Sequence, residues 1–290
     1  MRIALTGPTG RLGNQWMRKI NATPGYQLVA LDRQLLDLSQ PAKIPQQLSE
    51  IPFDCLINTA ALSSPDECEN NPQLAARCNA QSPAEMAKFC HQNQRKFLHY
   101  STDYVFSGQQ SGYLDESVVP EPINVYGQSK LDGERAILAA NPAAIIARVS
   151  WLFGPGKTSF FDFVLDSAQQ GKPLAAIANK FSLPTYTVDL VDWSLTLLEN
   201  EAAGIYHLCN SGDAQSWHSY ASEIIKQAKQ LDLLPEEVGV RKQMLDEMVS
   251  FTATRPIHTV MRTQRIEDEF NIKPRPWNLA ARDFLHVFRR

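Results

Sequence analysis

The sequence predicts an α/β fold, a doubly wound parallel sheet with a smaller C-terminal unit, from three observations. Short apolar runs alternate with longer stretches of helical period through the first half of the chain. A glycine-spaced turn, "TGPTGRLG", follows the first of these runs, and an acid, Asp32, closes the second. Such alternation requires helical crossovers between parallel strands, which cover both faces of the sheet.

In chain order, "RIALTG", "YQLVALD", "CLINTAA" and "KFLHYSTDYVF" read as buried strands. The stretches from Leu12, Pro72 and Gly127 read as the helices between them. "AAIIARVSWLFG" supplies a further strand near residues 144–152, and "GIYHLCN" another near 204–210. Proline-containing turns ("GKPLAAI", "FSLPTY") then break the alternation before a long helix, "SWHSYASEIIKQAKQL", whose opening serine suits an N-cap. The main unit is therefore expected over 1–150, with returning segments near 186–214. The smaller unit takes 151–185 and 215–290.

At 290 residues the chain has room for a substantial core. A net charge of −3 and a pI near 6.1 offer no basic excess for nucleic acid or an anionic membrane. No apolar run approaches the roughly 20 residues needed to cross a bilayer, and the N-terminus leads straight into a strand pattern. The chain reads as soluble and cytoplasmic. Its five cysteines form no C-x-x-C, which suits a reducing compartment. The six histidines lack the spacing of a zinc site, so no catalytic metal is expected.

Gly7, Gly10 and Gly13 give G-x-x-G-x-x-G between the first strand and the first helix. Glycines there let backbone N–H groups approach a pyrophosphate, and the helix start adds its positive end. A tight strand-to-helix turn with no ligand is the plainer alternative. Asp32 can take both hydroxyls of an adenosine ribose and repel a 2′-phosphate, whereas Arg33 can pair with that phosphate. The two residues point to NADH and NADPH respectively. Asp37 and Leu38 end the next turn, where adenine would lie.

"NVYGQSK" carries Tyr126 one helical turn before Lys130. An ammonium on that face favours the phenolate and lowers a phenol pKa near 10, so the tyrosine can give or take a carbonyl's proton. Alone, Y-x-x-x-K is a weak motif. "YSTDYVF" adds Ser101 or Thr102 as a second hydroxyl at the carboxyl end of a strand, where open α/β sheets place ligands.

With these segments in place, the chain resembles the extended short-chain dehydrogenase/reductases, specifically the dTDP-4-dehydrorhamnose reductase family. "TGPTGRLG", "LVALDRQLLDLSQP", "INTAAL", "STDYVF", "NVYGQSKLDGE", "RVSWLFG", "FSLPT", "GIYHL" and "RPIHTVMRTQRI" carry the resemblance in family order across nearly the whole chain. It implies a Rossmann-type cofactor domain, a smaller substrate-binding domain, and NAD(P)H-dependent reduction of a nucleotide-sugar C4 ketone. Tyr126 would donate the proton, Lys130 hold the ribose and Thr102 orient the ketone. The resemblance also puts Gly10, Arg11, Leu12, Asp32, Asp37, Leu38, Ala61, Leu62, Ser63 and Tyr100 against the cofactor. Trp151 matches a residue that touches the nucleotide sugar, with a core aromatic as the alternative. Arg255 would pair with the sugar diphosphate or support a loop.

Two departures stand out. Some members of the family form dimers bridged by magnesium through glutamates near the first helix and at the C-terminus; this chain has Gln15 and ends "FLHVFRR". A neutral amide is a poor ligand for a hard cation, so a monomer or a metal-independent homodimer is expected. The loop "LSSPDECEN" carries a proline, and Asp66 and Glu69 receive no substrate role. Two competing readings keep the fold. One is another nucleotide-sugar reductase or an epimerase; the other is a non-catalytic partner like the regulatory β subunit of methionine adenosyltransferase.

Overall fold

In the computed structural model, which describes residues 1–235 and 237–288, six parallel strands form the central sheet. They are β1 (Arg2–Thr6), β2 (Gln27–Leu31), β3 (Cys55–Asn58), β4 (Lys96–Thr102), β5 (Ile145–Val149) and the edge strand Gly204–His207. The spatial order is Gly204–His207, β5, β4, β3, β1, β2. β3 and β5 are buried at every position, the pattern of strands covered on both faces.

Successive side chains alternate between the two faces. On one, Ile3, Leu5, Ile57, Leu98 and Ala147 meet Leu12, Trp16 and Ile20 of α1 (Arg11–Ala22) and Leu190 and Leu198 of the Thr187–Glu199 helix. On the other, Ala4, Leu56, Phe97 and Ile146 meet Met86, Cys90 and Ile137 from the Ser82–Gln92 and Val125–Ala140 helices. The chain is thus a doubly wound α/β fold. A separate cluster, with Phe153, Phe161, Tyr220 and Trp277, gathers where the Phe160–Gln169, Trp217–Gln230 and Trp277–Phe288 helices converge. Ser216 caps the Trp217–Gln230 helix, accepting from the Ser219 amide.

Three elements differ from the sequence expectation, each for a local reason. The strand expected over 144–152 ends at Val149, because Trp151 has φ +40° and turns the chain before Leu152–Phe153 pairs with Thr185–Tyr186. β4 stops at Thr102, whose hydroxyl accepts from the Tyr104 amide at 3.2 Å and starts a short turn over Asp103–Val105. The helix expected from Pro72 is broken by a π-turn at Arg77–Gln81 before Ser82–Gln92, and Pro83 supplies no N–H at that junction.

From β1 the chain runs to β2 on one side, and β3 then pairs on the other side of β1. The crevice at their carboxyl ends is where such sheets take ligands. Among the described residues no helix is long and apolar enough to cross a membrane.

Close packing fixes the helix that carries Tyr126. A Cβ on Gly127 would lie 2.1 Å from the Tyr104 carbonyl oxygen, so only glycine lets this helix rest on the turn after β4. Gly127→Ala is expected to lower unfolding stability by about 1–3 kcal/mol, the usual cost of overpacking. Urea unfolding measures it, and a change below a few tenths would show that the contact relaxes freely.

Candidate active site

The turn after β1 is built for close approach. A Cβ on Gly13 would lie 2.0 Å from the Gly7 carbonyl oxygen, so α1 starts hard against the turn. Gly10 occupies its N-cap position, no side chain among the described residues caps it, and no acid stands in its first turn. Free amides therefore face the crevice, a favourable setting for phosphate. A cavity of about 270 Å³ opens there, lined among others by Gly7, Asp32, Arg33, Asp37, Leu38, Ala61 and Leu62. Its lining suits the adenosine end of a dinucleotide, while Thr102, Tyr126 and Lys130 lie outside it.

Asp32 accepts from the Gln34 and Leu35 amides through Oδ1, at 2.9 and 3.1 Å. Arg33 is exposed and reaches Asp37 at 3.6 Å. The Gln40 side chain and the Ser39 amide hold the Asp37 carboxyl down at about 2. Leu62 is fixed through both main-chain groups by the Asn79 side chain, at 2.9 and 3.0 Å. Ser63 follows it outside the residues that line the cavity. Leu12 turns into the core, leaving its main chain at the turn. The Arg11 guanidinium donates to the Leu152 and Lys157 carbonyls, so this side chain clamps the loop after β5. Tyr100 also needs qualification: its hydroxyl accepts from Trp16 and donates to Ser194 inside the core, and only its main chain reaches the site.

At the carboxyl end of β4 the Thr102 side chain stands beside the Tyr126 phenol, its hydroxyl accepting from the Tyr104 amide and donating to Asp103. Between the two candidates on that strand, the geometry selects Thr102; Ser101 is buried and its hydroxyl has no partner among the described residues. The helix start that aims Tyr126 is held three ways. Asn124 accepts from the Gly127 amide at 2.7 Å and donates to the Thr254 carbonyl at 2.7 Å, while Glu69 accepts from the Val125 amide at 3.1 Å. Burial pushes the Tyr126 phenol above its ordinary pKa, with the Thr102 hydrogen bond opposing. The expectation that Lys130 lowers it is not met in this state. Lys130 Nζ instead donates to the Tyr100 carbonyl at 2.6 Å and meets His99 Nε2 at 2.9 Å, and burial brings the ammonium down to about 8.

On the other wall, Trp151 sits in its left-handed conformation, which is uncommon for a bulky side chain, and its indole N–H has no partner among the described residues. Its ring packs against Trp217 and Tyr220 at centroid distances of 5.2 and 6.2 Å, around a cavity of about 230 Å³. Of the two roles open to Arg255, the structure fills the loop-supporting one. Its guanidinium forms a two-point pair with Asp66, at 3.0 and 2.6 Å, and donates to the Ala253 carbonyl.

Two charged groups of this site were given no role from the sequence. Asp103, buried, accepts from Thr102, Ser182 and Thr259, and Lys180 donates to the Pro256 carbonyl at 2.9 Å beneath the Tyr104 and Trp151 rings. Among the described residues no three His, Cys, Asp or Glu side chains gather as metal ligands; the C-terminal pair Arg289 and Arg290 lies outside the described residues.

The likeness to known proteins runs the length of the chain. A dTDP-4-dehydrorhamnose reductase from Aggregatibacter actinomycetemcomitans is 29% identical over 97% of this chain and 97% of its own. A probable dTDP-4,6-dihydroxy-2-methyloxan-3-one 4-ketoreductase from Streptomyces antibioticus is 30% identical over 98% and 94%. The crystal structure of dTDP-4-dehydrorhamnose reductase from Bacillus anthracis, in complex with NADP, superposes with a TM-score of 0.90 at 27% identity, covering 99% of each chain. The model of the RmlD substrate binding domain family matches residues 1–290, and the chain belongs to that family.

Proposed function

We propose that this chain reduces the C4 ketone of a nucleotide-activated 6-deoxy sugar, dTDP-4-dehydrorhamnose to dTDP-rhamnose, using NADPH or NADH. It is an NAD(P)H-dependent oxidoreductase, as its reductase relatives are. The observation that carries the reading is the nearness of the Thr102 and Tyr126 side chains at the carboxyl end of β4, with buried Lys130 one turn along. Relatives of nearly equal identity are named for different 4-keto sugars, so the sugar itself rests on analogy.

Gly7, Gly10 and the free amides of α1 would hold the dinucleotide's phosphates, Asp32 and Arg33 its adenosine ribose, and Asp37 and Leu38 its adenine. Bound there, the reduced dinucleotide supplies a hydride to the carbonyl carbon. The chain's own residues supply the rest. Thr102 orients the ketone oxygen, and Tyr126, protonated because burial raises its pKa, gives that oxygen a proton. Lys130 has three N–H donors, and with two directed into the protein the third serves the ribose and the phenol. The unpartnered Trp151 N–H would meet the sugar nucleotide. With Gln15 in place of an acid, assembly is read as independent of metal.

Tyr126→Phe keeps the ring against Tyr104 and deletes the acidic proton, so kcat should fall by about 10² to 10⁴. Oxidation of NADPH with freshly generated dTDP-4-keto-6-deoxy sugars reads it at the nicotinamide absorbance. A rate within twofold of wild type would sink the assignment, and nicotinamide binding without turnover of any such sugar would favour a binding subunit. A second test uses pH. Lys130 is protonated below about 8 and neutral above it, so NADPH should bind more weakly as pH rises through that value. Fluorescence titration should show this step in the wild type and a flat profile in Lys130→Met; a step retained in the variant assigns it to another group. Lastly, Asp32→Ala removes both the ribose acceptor and the repulsion of a 2′-phosphate. The ratio of kcat/KM for NADPH over NADH should rise; an unchanged ratio would mean that Asp32 does not face the ribose.

A further inference from the structure

Four polar side chains lie in line beneath the site, from the helix of Tyr126 across three adjacent strands. Lys130 Nζ meets His99 Nε2, on β4, at 2.9 Å. His99 Nδ1 lies 2.9 Å from the side-chain amide of Asn58 at the end of β3, and that amide is 2.6 Å from the Thr6 hydroxyl at the end of β1. Thr6 immediately precedes Gly7, where the dinucleotide turn begins. All four residues are at most 2% exposed.

A neutral imidazole has one N–H and one lone pair, so it cannot donate in both directions. Burial and the neighbouring Lys130 hold His99 well below its ordinary pKa, so it stays neutral. Its tautomer must then agree with the charge on Lys130. Beside an ammonium, Nε2 accepts and Nδ1–H donates to the Asn58 amide oxygen. Beside a neutral amine, Nε2–H donates to Nζ, and the Asn58 NH₂ donates to Nδ1. In the second arrangement Asn58 Oδ1 accepts from the Thr6 hydroxyl and the Ala60 amide, the orientation seen here; in the first the Asn58 amide turns over, its NH₂ donates to the Thr6 hydroxyl, and the Ala60 amide is left to Thr6 alone.

We propose that His99 is a positioning residue for the reduction: through Asn58 and Thr6 it ties Lys130 to the dinucleotide turn and sets where the lysine points and whether it keeps its proton. This rests on the reading of Lys130 and Tyr126 given above. The other titratable groups near Lys130 are Glu134 on its own helix, tied to Arg148 of β5, and Cys68 of the Pro65–Asn70 helix, with a thiol pushed up to about 11. Neither touches His99 in place of the lysine, since its two ring nitrogens are taken by Lys130 and Asn58.

His99→Leu removes both ring nitrogens, whereas His99→Gln keeps an acceptor within reach of Nζ. His99→Leu should lower kcat by on the order of tenfold. It should also move the basic limb of the pH–rate profile about one unit lower, because the buried ammonium has lost an acceptor. His99→Gln should recover most of both. A His99→Leu enzyme with wild-type kcat and limb would overturn the proposal, as would a Gln variant as impaired as the Leu one. Nitrogen-15 NMR of the imidazole in the otherwise unaltered protein needs no folded His99 variant. His99 should stay neutral from pH 5 to 8 and its shifts should follow a titration near pH 8 that vanishes in Lys130→Met. Ordinary titration near 6.5, or a response that survives Lys130→Met, counts against it. With Tyr126→Phe assayed alongside, a slow Tyr126→Phe beside an unaffected His99→Leu sinks this inference alone. A fast Tyr126→Phe sinks the functional reading, and the NMR coupling still judges the His99–Lys130 pair.

Discussion

A buried cation organises this site. Lys130 is 2% exposed, and an ammonium taken out of water must find hydrogen-bond acceptors or lose its proton. The Tyr100 carbonyl accepts from it and His99 Nε2 stands 2.9 Å away, and both belong to β4. The consequence is geometric. A helix anchored by its own lysine to the central strand of a six-stranded sheet cannot slide or rotate, so the tyrosine one turn earlier is aimed at the carboxyl end of that strand. Gly127 allows the close approach and Asn124 fixes the helix start, but the lysine sets the register.

A second buried lysine supports the opposite wall by the same physics. Lys180 donates to the Pro256 carbonyl and neighbours Asp103, while Asp103 gathers hydroxyls from Thr102, Ser182 and Thr259. Thr102 belongs to the main sheet; Ser182 and Thr259 belong to segments late in the chain. The Thr102 hydroxyl is therefore fixed by parts of the fold far apart in sequence. Pairing each buried charge with several neutral donors or acceptors limits the desolvation penalty that makes isolated buried ions so costly.

What the sequence disclosed, and what it hid, follows from the range of the interactions. The glycine turn, Asp32, and the Tyr126–Lys130 spacing are local patterns, because a turn or one helical repeat suffices to express them. The N-cap at Ser216 was legible for the same reason. His99 was not. It sits inside "KFLHYST" as one polar residue in an apolar strand, and its partners lie 31 and 41 positions away on elements whose order no local pattern reveals. Arg255 was open for a different reason: a cation near a predicted cleft suits a phosphate ligand or a loop support equally until Asp66, 189 positions away, is seen to take both arms of its guanidinium. The chain turn at Trp151 was hidden because a left-handed tryptophan has no sequence signature.

The proton inventory of the site also argues for a direction of reaction. In the free protein the phenol is raised by burial, and Lys130 is directed toward the sheet. Tyr126 therefore holds its proton at neutral pH and is ready to act as an acid, the role that reducing a ketone requires. Oxidising an alcohol would need the phenolate instead, and forming that anion in a buried site costs free energy unless a cation stands against it. The Thr102 hydroxyl donates to Asp103, and that carboxyl group, near the phenol, adds to the upward push on its pKa. Burial thus keeps an acid protonated and, one turn along the same helix face, weakens the hold of an ammonium on its proton.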